Sequence, residues 1–139
     1  MRFWDTSSLV PLFMEEERSQ EMEGVFREDD SIATWWGTSV ECASAIRRKE
    51  RMDDLATRAA QDSIALLDEL SEGWVEVEPT AQIRSTALRL LAVHPLIAAD
   101  ALQLAAALDW ASRTDGEARF ISLDQRLSDA ASREGMVCL

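Results

Sequence analysis

The sequence has few of the side chains that most enzymes use for proton transfer or metal binding. Tyrosine is absent, and the 139 residues include one histidine, His94, and two cysteines, Cys42 and Cys138. The cysteines have no metal-ligand or redox spacing, which excludes a cysteine metal site or a dithiol motif. We interpret His94 as a residue at the end of a helix rather than as a catalytic base.

Long apolar runs and linkers are missing as well. The longest apolar-dominated run, 96–108, is interrupted by Asp100 and Gln103 and is too short to span a bilayer. The apolar stretch within the first eight residues is too short for a signal peptide. No repeat and no linker rich in Pro, Gly or Ser divides the chain, and its 47% hydrophobic and 29% charged residues are typical of globular proteins. We therefore expect one soluble, cytoplasmic domain over residues 1–139, without a membrane partner.

Positive charge is also scarce. Fourteen basic residues stand against 26 acidic ones, giving a formal net charge of −12, and Lys49 is the only lysine. The overall field of such a chain repels nucleic acids and other polyanions. Two interpretations stay open: the acids keep the surface soluble, or several of them bind cations that bridge to an anionic substrate.

Short strands alternate with helices along the chain. The patterns predict strands at 2–4, 31–35, 74–77, 119–123 and 136–138, and helices at 19–28, 38–51, 53–72, 80–93, 98–113 and 124–134. Such alternation requires parallel strand pairing, because each crossover contains a helix. We predict an α/β fold of three layers, α/β/α, with a central, mostly parallel sheet. Ligands of such folds bind at the carboxyl ends of the strands.

Two aspartates follow predicted strands directly. Asp5 comes after the first strand and before Thr6, Ser7 and Ser8, and Asp124 comes after the strand RFISL and before a helix. Each aspartate alone is typical of a helix N-cap. If the two strands are neighbours, their spacing of about 4.8 Å brings both side chains within reach of one metal ion.

Two further acids lie on apolar helices. Asp100 begins the helix ADALQLAAAL with no arginine or lysine one turn away, and Glu41 lies among small residues in TSVECASAIRR. We expect Asp100 to be buried, where an unpaired carboxylate costs several kcal/mol. A helix-end cap and a solvated edge remain the simple explanations. Together with the strand-end aspartates, however, these acids form an oxygen-only set that favours Mg²⁺ or Mn²⁺ and suits phosphodiester hydrolysis.

Four segments resemble PIN domains, most closely the VapC-type toxins of type II toxin–antitoxin systems. They are FWDTSSLV, SVECASAIRR, HPLIAADALQLAAAL and FISLDQRLSDAASREGM, and their order and spacing match over essentially the whole chain. The resemblance implies a homodimer, endonucleolytic cleavage of RNA with Mg²⁺ or Mn²⁺, and inhibition by a cognate antitoxin protein.

The resemblance also implies which residues form the site. The catalytic and metal-binding acids fall on Asp5, Glu41, Asp100 and Asp124, with Ser7 and Ser122 as hydroxyl supports. We expect the first three acids to hold the principal metal, and Asp124 to act through water or to hold a second ion. Many relatives carry a basic residue where this chain has Ile97, a departure that affects phosphate contacts.

The only dense positive patch follows Glu41 on its helix and consists of Arg47, Arg48, Lys49 and Arg51. Basic residues at a helix C-terminus complement the helix dipole, whereas the alternative is a phosphate track that binds RNA. Trp35 and Trp36 are expected to pack in a core or a dimer face rather than to stack on bases.

Other enzyme classes with a strand-end aspartate fit less well. A haloacid-dehalogenase-like phosphatase needs a second aspartate where this chain has Ser7, and a response-regulator receiver needs a lysine placed differently from Lys49. A catalytically silent PIN-like module that binds a protein partner remains the alternative, and metal titration separates it from the nuclease.

Overall fold

A computed structural model describes residues 1–139. The chain forms five strands: β1 (Arg2–Trp4), β2 (Ile32–Trp35), β3 (Val75–Val77), β4 (Arg119–Ile121) and β5 (Val137–Cys138). Seven helices connect them: α1 (Thr6–Phe13), α2 (Ser19–Glu28), α3 (Thr38–Arg51), α4 (Thr57–Ser71), α5 (Ala81–Val93), α6 (Ala98–Ala111) and α7 (Gln125–Arg133). None of the seven helices combines the length and the hydropathy that a membrane-spanning helix needs.

All five strands belong to one parallel sheet in the order β3-β2-β1-β4-β5. The first strand lies in the middle, where Phe3 is in register with Ala33 of β2 and with Phe120 of β4. Helices connect every pair of consecutive strands, as parallel pairing requires. The predicted α/β/α architecture is confirmed.

The sheet is buried on both faces, because successive residues of a strand point to opposite sides. Phe3 and Phe120 belong to a core that also contains buried residues of α5, α6 and α7. Trp4 and Ile121, the next residue of each strand, belong to a second core with buried residues of α1, α2, α3 and α4. The two helix layers therefore cover opposite faces of the sheet.

A few local predictions were wrong. The helix predicted at 53–72 begins only at Thr57, after Asp53 adopts a left-handed conformation with φ of 59°. The fourth strand ends at Ile121, two residues earlier than predicted. Trp35 lies in the core as expected, whereas Trp36 is 51% exposed, so a dimer face stays the prediction for that residue.

Candidate active site

All four predicted acids line one cavity of about 720 Å³. Asp5 reaches it from the end of β1, Glu41 from the first turn of α3, Asp100 from the first turn of α6, and Asp124 from the start of α7. Two of these positions follow neighbouring central strands, so the cavity opens at the carboxyl edge of the sheet, as the parallel topology predicts. Residues far apart in the sequence thus converge on one concave surface.

Asp5 is the most buried of the four, with 4% of its surface exposed. Its Oδ2 accepts hydrogen bonds from the Ser7 backbone N–H (3.1 Å), the Ser7 hydroxyl (2.5 Å) and the Ser122 hydroxyl (3.0 Å). Burial raises the pKa of Asp5 to about 6, against the opposing effect of these donors, and the nearby charge of Asp100 raises it further. The two predicted serine supports therefore both contact Asp5.

In the register of β1 and β4, the residue opposite Asp5 is Ser122 and not Asp124. Trp4 is in register with Ile121, and the Asp5 N–H donates to the Ile121 carbonyl at 3.0 Å. The expectation that the two aspartates occupy equivalent strand-end positions was wrong, because β4 ends earlier than predicted. Asp124 lies two residues beyond Ser122, where its Oδ1 caps α7 by accepting from the Leu127 N–H at 2.9 Å.

Glu41 is partly buried and held from two sides. Its Oε2 accepts a hydrogen bond from the Thr6 hydroxyl at 2.7 Å and another from the Gln103 side-chain amide at 3.1 Å. Thr6 begins α1, and Gln103 lies on α6, so residues from both sides of the sheet orient this carboxylate. A solvated edge position, the simple explanation, does not describe such a residue.

Asp100 is partly exposed at the cavity wall, so the prediction of a buried carboxylate was wrong. Its pKa is nevertheless raised, first by partial burial and then by the charges of Asp124 and Glu41. The backbone N–H of Ile97 and the charge of Arg126 oppose this rise. Sequence reasoning missed Arg126 because it considered only neighbours within the same helix, whereas Arg126 comes from α7.

Three of the carboxylates share one arrangement. Asp5, Glu41 and Asp124 each have one oxygen that accepts every hydrogen bond, while the other oxygen has no protein partner. None of these three oxygens is among the buried side-chain atoms that lack a hydrogen-bond partner, so each is open to solvent and available to a ligand. The ligand that suits acceptor-only oxygen atoms is a cation.

The donor set fits Mg²⁺ or Mn²⁺ by its chemistry, since both ions prefer carboxylate oxygens. No group of three or more Asp, Glu, His or Cys side chains is arranged closely enough to hold a metal ion. Carboxylates repel one another unless a cation lies between them, and the charges of Asp124 and Glu41 add to the effect of burial on the pKa of Asp100.

Two of the four residues of the basic patch line the cavity, and the other two lie outside it. Arg48 and Lys49 line the cavity, but Lys49 forms an ion pair with Glu16 at 2.9 Å. Arg47 pairs with Glu50 of its own helix at 2.9 Å, and Arg51 is exposed outside the cavity. Arg48 is therefore the cavity-lining cation without an acidic partner.

Sequence reasoning missed the polar residues that support Glu41. Gln103 is buried and contacts both Thr6 and Thr38, the first residues of α1 and α3. One signal was available: Gln103 lies one turn after Asp100 and is the other polar residue in an otherwise apolar stretch. Ile97, where relatives of the resembled family carry a basic residue, is 65% exposed at the cavity rim.

No protein-family model matches this chain, and no curated protein is significantly similar to it.

Proposed function

We propose that this protein is an endoribonuclease that hydrolyses RNA phosphodiester bonds with Mg²⁺ or Mn²⁺. The observation that carries the proposal is the convergence of Asp5, Glu41, Asp100 and Asp124 on one cavity, three of them with one oxygen fixed and one free. A protein that only needed acidic surface for solubility gains nothing from orienting carboxylates toward one concave surface.

Different residues of the chain would bind the metal ion, orient its ligands and contact the phosphate. The free oxygens of Asp5 and Glu41, together with Asp100, would hold the principal ion, and Asp124 would act through water or at a second ion. When bound, the ion polarises a phosphate oxygen and lowers the pKa of water. Ser7 and Ser122 keep the Asp5 carboxylate oriented, and Arg48 provides a positive charge for a phosphate on the cavity wall.

Neutralisation of the carboxylates by bound cations would allow such an acidic chain to bind RNA. With a net charge of −12, the overall field repels the substrate, so attraction must be local. Cations at the carboxylates and the unpaired Arg48 would supply that local attraction. Activity should consequently need a divalent ion for substrate binding as well as for bond cleavage.

The resemblance to VapC-type toxins supports a more specific role. We propose that the protein is the toxin of a type II toxin–antitoxin pair, acts in the cytoplasm as a homodimer, and is inhibited by a cognate antitoxin. A short neighbouring reading frame for a DNA-binding protein would support this role. Induced synthesis in bacteria should stop growth, and co-expression of that neighbour should restore it.

The nuclease activity is tested with purified protein and a labelled single-stranded RNA. Wild-type protein should cleave the RNA with Mn²⁺ or Mg²⁺ and lose activity with EDTA, and Asp100→Asn should be inactive under all conditions. Asp109→Asn is a matched control, because Asp109 lies on the same helix, outside this cavity, and pairs with Arg113. This control should cleave like wild type.

Two results would overturn the proposal. Equal cleavage by wild type and Asp100→Asn would mean that the activity comes from elsewhere. A folded wild-type protein with no Mn²⁺ or Mg²⁺ affinity in calorimetry would favour the catalytically silent, protein-binding module instead.

A further inference from the structure

Gln103 is a buried polar side chain that joins three helices. Only 1% of its surface is exposed, and its position on α6 faces the start of α1 and of α3. The amide nitrogen Nε2 lies 2.9 Å from the Thr6 hydroxyl, 3.0 Å from the Thr38 hydroxyl and 3.1 Å from Oε2 of Glu41. A buried amide is costly unless its donors are satisfied, and here three acceptors surround two N–H groups.

Charge fixes the orientation of this amide. An ionised carboxylate only accepts hydrogen bonds, so the NH₂ end of Gln103, rather than its carbonyl, must face Glu41. The Thr6 hydroxyl, which itself accepts from Gln103, donates to the same Oε2 at 2.7 Å. Glu41 therefore receives two donors on one oxygen, arranged as a connected chain in which each hydrogen bond polarises the next.

Gln103 also connects two of the acids that repel each other. It lies three residues, about one turn, after Asp100 on α6, and it contacts Glu41 on α3. Repulsion between these carboxylates favours separation of the two helices. The bond from Gln103 to Glu41 opposes that separation directly, because it runs from one helix to the other.

We propose that Gln103 is a positioning residue, which holds the Glu41 carboxylate at a fixed place relative to Asp100 so that both can hold one divalent ion. The proposal rests on the function proposed above. Gln103 is buried behind Glu41 and is not among the cavity-lining residues, so it acts through Glu41 and not on the substrate. Outer-shell donors of this kind typically change metal affinity or activity by about 10- to 100-fold.

The test replaces Gln103 by methionine, which has a similar length but no donor. Gln103→Met should remain folded and weaken Mn²⁺ binding about tenfold or more in calorimetry. At saturating Mn²⁺, the KM for RNA should stay within about twofold of the wild-type value while kcat falls. The carbon-13 signal of the Glu41 side-chain carboxyl, measured without metal, should shift or broaden. Leu104→Val, a core change at the next residue of α6, controls for lost packing and should leave the affinity and the signal unchanged.

Each outcome decides the proposal. A folded Gln103→Met protein with wild-type Mn²⁺ affinity and an unchanged Glu41 signal would overturn it, as would a Leu104→Val protein with the same losses. If Gln103→Met does not fold, Thr6→Val removes the other donor to Oε2 and should change the same two measurements; no change would overturn the proposal. Wild-type protein that binds no Mn²⁺ refutes the proposed function, and the Glu41 signal then decides the orienting role alone.

Discussion

Asp5 is buried and Glu134 is partly exposed, and their pKa values are shifted in opposite directions. Arg89 donates two hydrogen bonds to Glu134, at 3.1 and 2.7 Å, and the His94 ring lies 2.7 Å away, so the pKa of Glu134 falls to about 2. Asp5 has only neutral donors and an acidic neighbour, and burial raises its pKa to about 6.

The difference separates a structural carboxylate from one prepared for a ligand. Glu134 is neutralised by side chains of this chain, and its contacts join the ends of α5 and α7. Around Asp5, the protein supplies oriented hydroxyl groups but no countercharge in contact with it. Strongly perturbed carboxylates in a cavity are typical of functional sites, and here the missing countercharge is the property that a metal ion would supply.

The largest effect is expected from removing one charge in the cavity. Asp5→Asn should lower RNA cleavage more than about 100-fold, because even outer-shell partners of a metal typically change activity by about 10- to 100-fold. The protein should stay folded, since asparagine retains an acceptor for Ser7 and Ser122. Asp68→Asn, at an exposed position on α4, is the control. Comparable rates for both variants in the same assay would contradict the assignment of Asp5.

The same substitution should stabilise the metal-free protein. The pKa of Asp5 is about 6 in the folded protein against an ordinary value of 3.8, so the folded state retains a proton that the unfolded chain has lost. The contribution of Asp5 to stability therefore falls as the pH rises from about 4 to about 6, and remains low above that range. Asp5→Asn avoids this loss and should be more stable than wild type above pH 6, by up to about 3 kcal/mol.

Denaturant unfolding at pH 4 to 8 in EDTA measures this difference. The two proteins should have similar stability near pH 4 and diverge toward pH 6, and added Mg²⁺ should stabilise wild type alone. If the free energies of unfolding of wild type and Asp5→Asn differ by the same amount at every pH, ionisation of Asp5 does not destabilise the folded protein. That result would contradict the contrast drawn between Asp5 and Glu134.

Glu134→Gln should have the opposite effect on stability. It removes the charge that Arg89 and His94 contact, which should cost about 1 kcal/mol because Arg89 is half exposed and water screens its ion pair. The pKa of Glu134 is lowered in the folded protein, so its contribution is fully present above about pH 4.5 and is lost as the pH falls toward about 2. RNA cleavage at neutral pH should not change, and a large loss of cleavage in folded protein would contradict a purely structural role.

The smallest effect is expected at the basic patch. Arg48→Gln should raise the KM for RNA several-fold and reduce the slope of log affinity against log salt by about 0.7, the loss of one single-strand phosphate contact. Arg51→Gln removes the same charge from the same helix outside the cavity and should have little effect. Equal changes in both variants would indicate general electrostatic attraction rather than a phosphate contact at the cavity.

The fold was predictable because every strand and every helix except α1 carries its own signal in the sequence. Alternating strands and helices require parallel pairing, and the carboxyl edge then follows as the place for Asp5 and Asp124. The features that could not be predicted depend on the residue at which a strand ends and on interactions between residues of different elements. Ser122 is level with Asp5 because β4 stops at Ile121, and Arg126 affects Asp100 from a different helix.

The surroundings of Glu41 also could not be predicted from the sequence. Its small neighbours suggested a ligand-binding position, but the donors that hold it come from α1 and α6, 35 and 62 residues away in sequence. Periodicity reports which face of a helix is buried, and it contains no information on which side chain meets that face from another element. The four acids and the two serine supports of Asp5 were predicted, whereas Thr6 and Gln103, which support Glu41, were found only in the folded chain.

The central position of β1 has a consequence for synthesis of the protein. Phe3 pairs with Phe120, so the central strand gains its β4 neighbour only after more than a hundred further residues have been synthesised. A growing polypeptide therefore contains Asp5 and Glu41 well before it contains Asp100, Ser122 and Asp124. If the site acts as proposed, a nascent chain lacks the complete set of acids until Asp124 has been added and β4 has paired with β1.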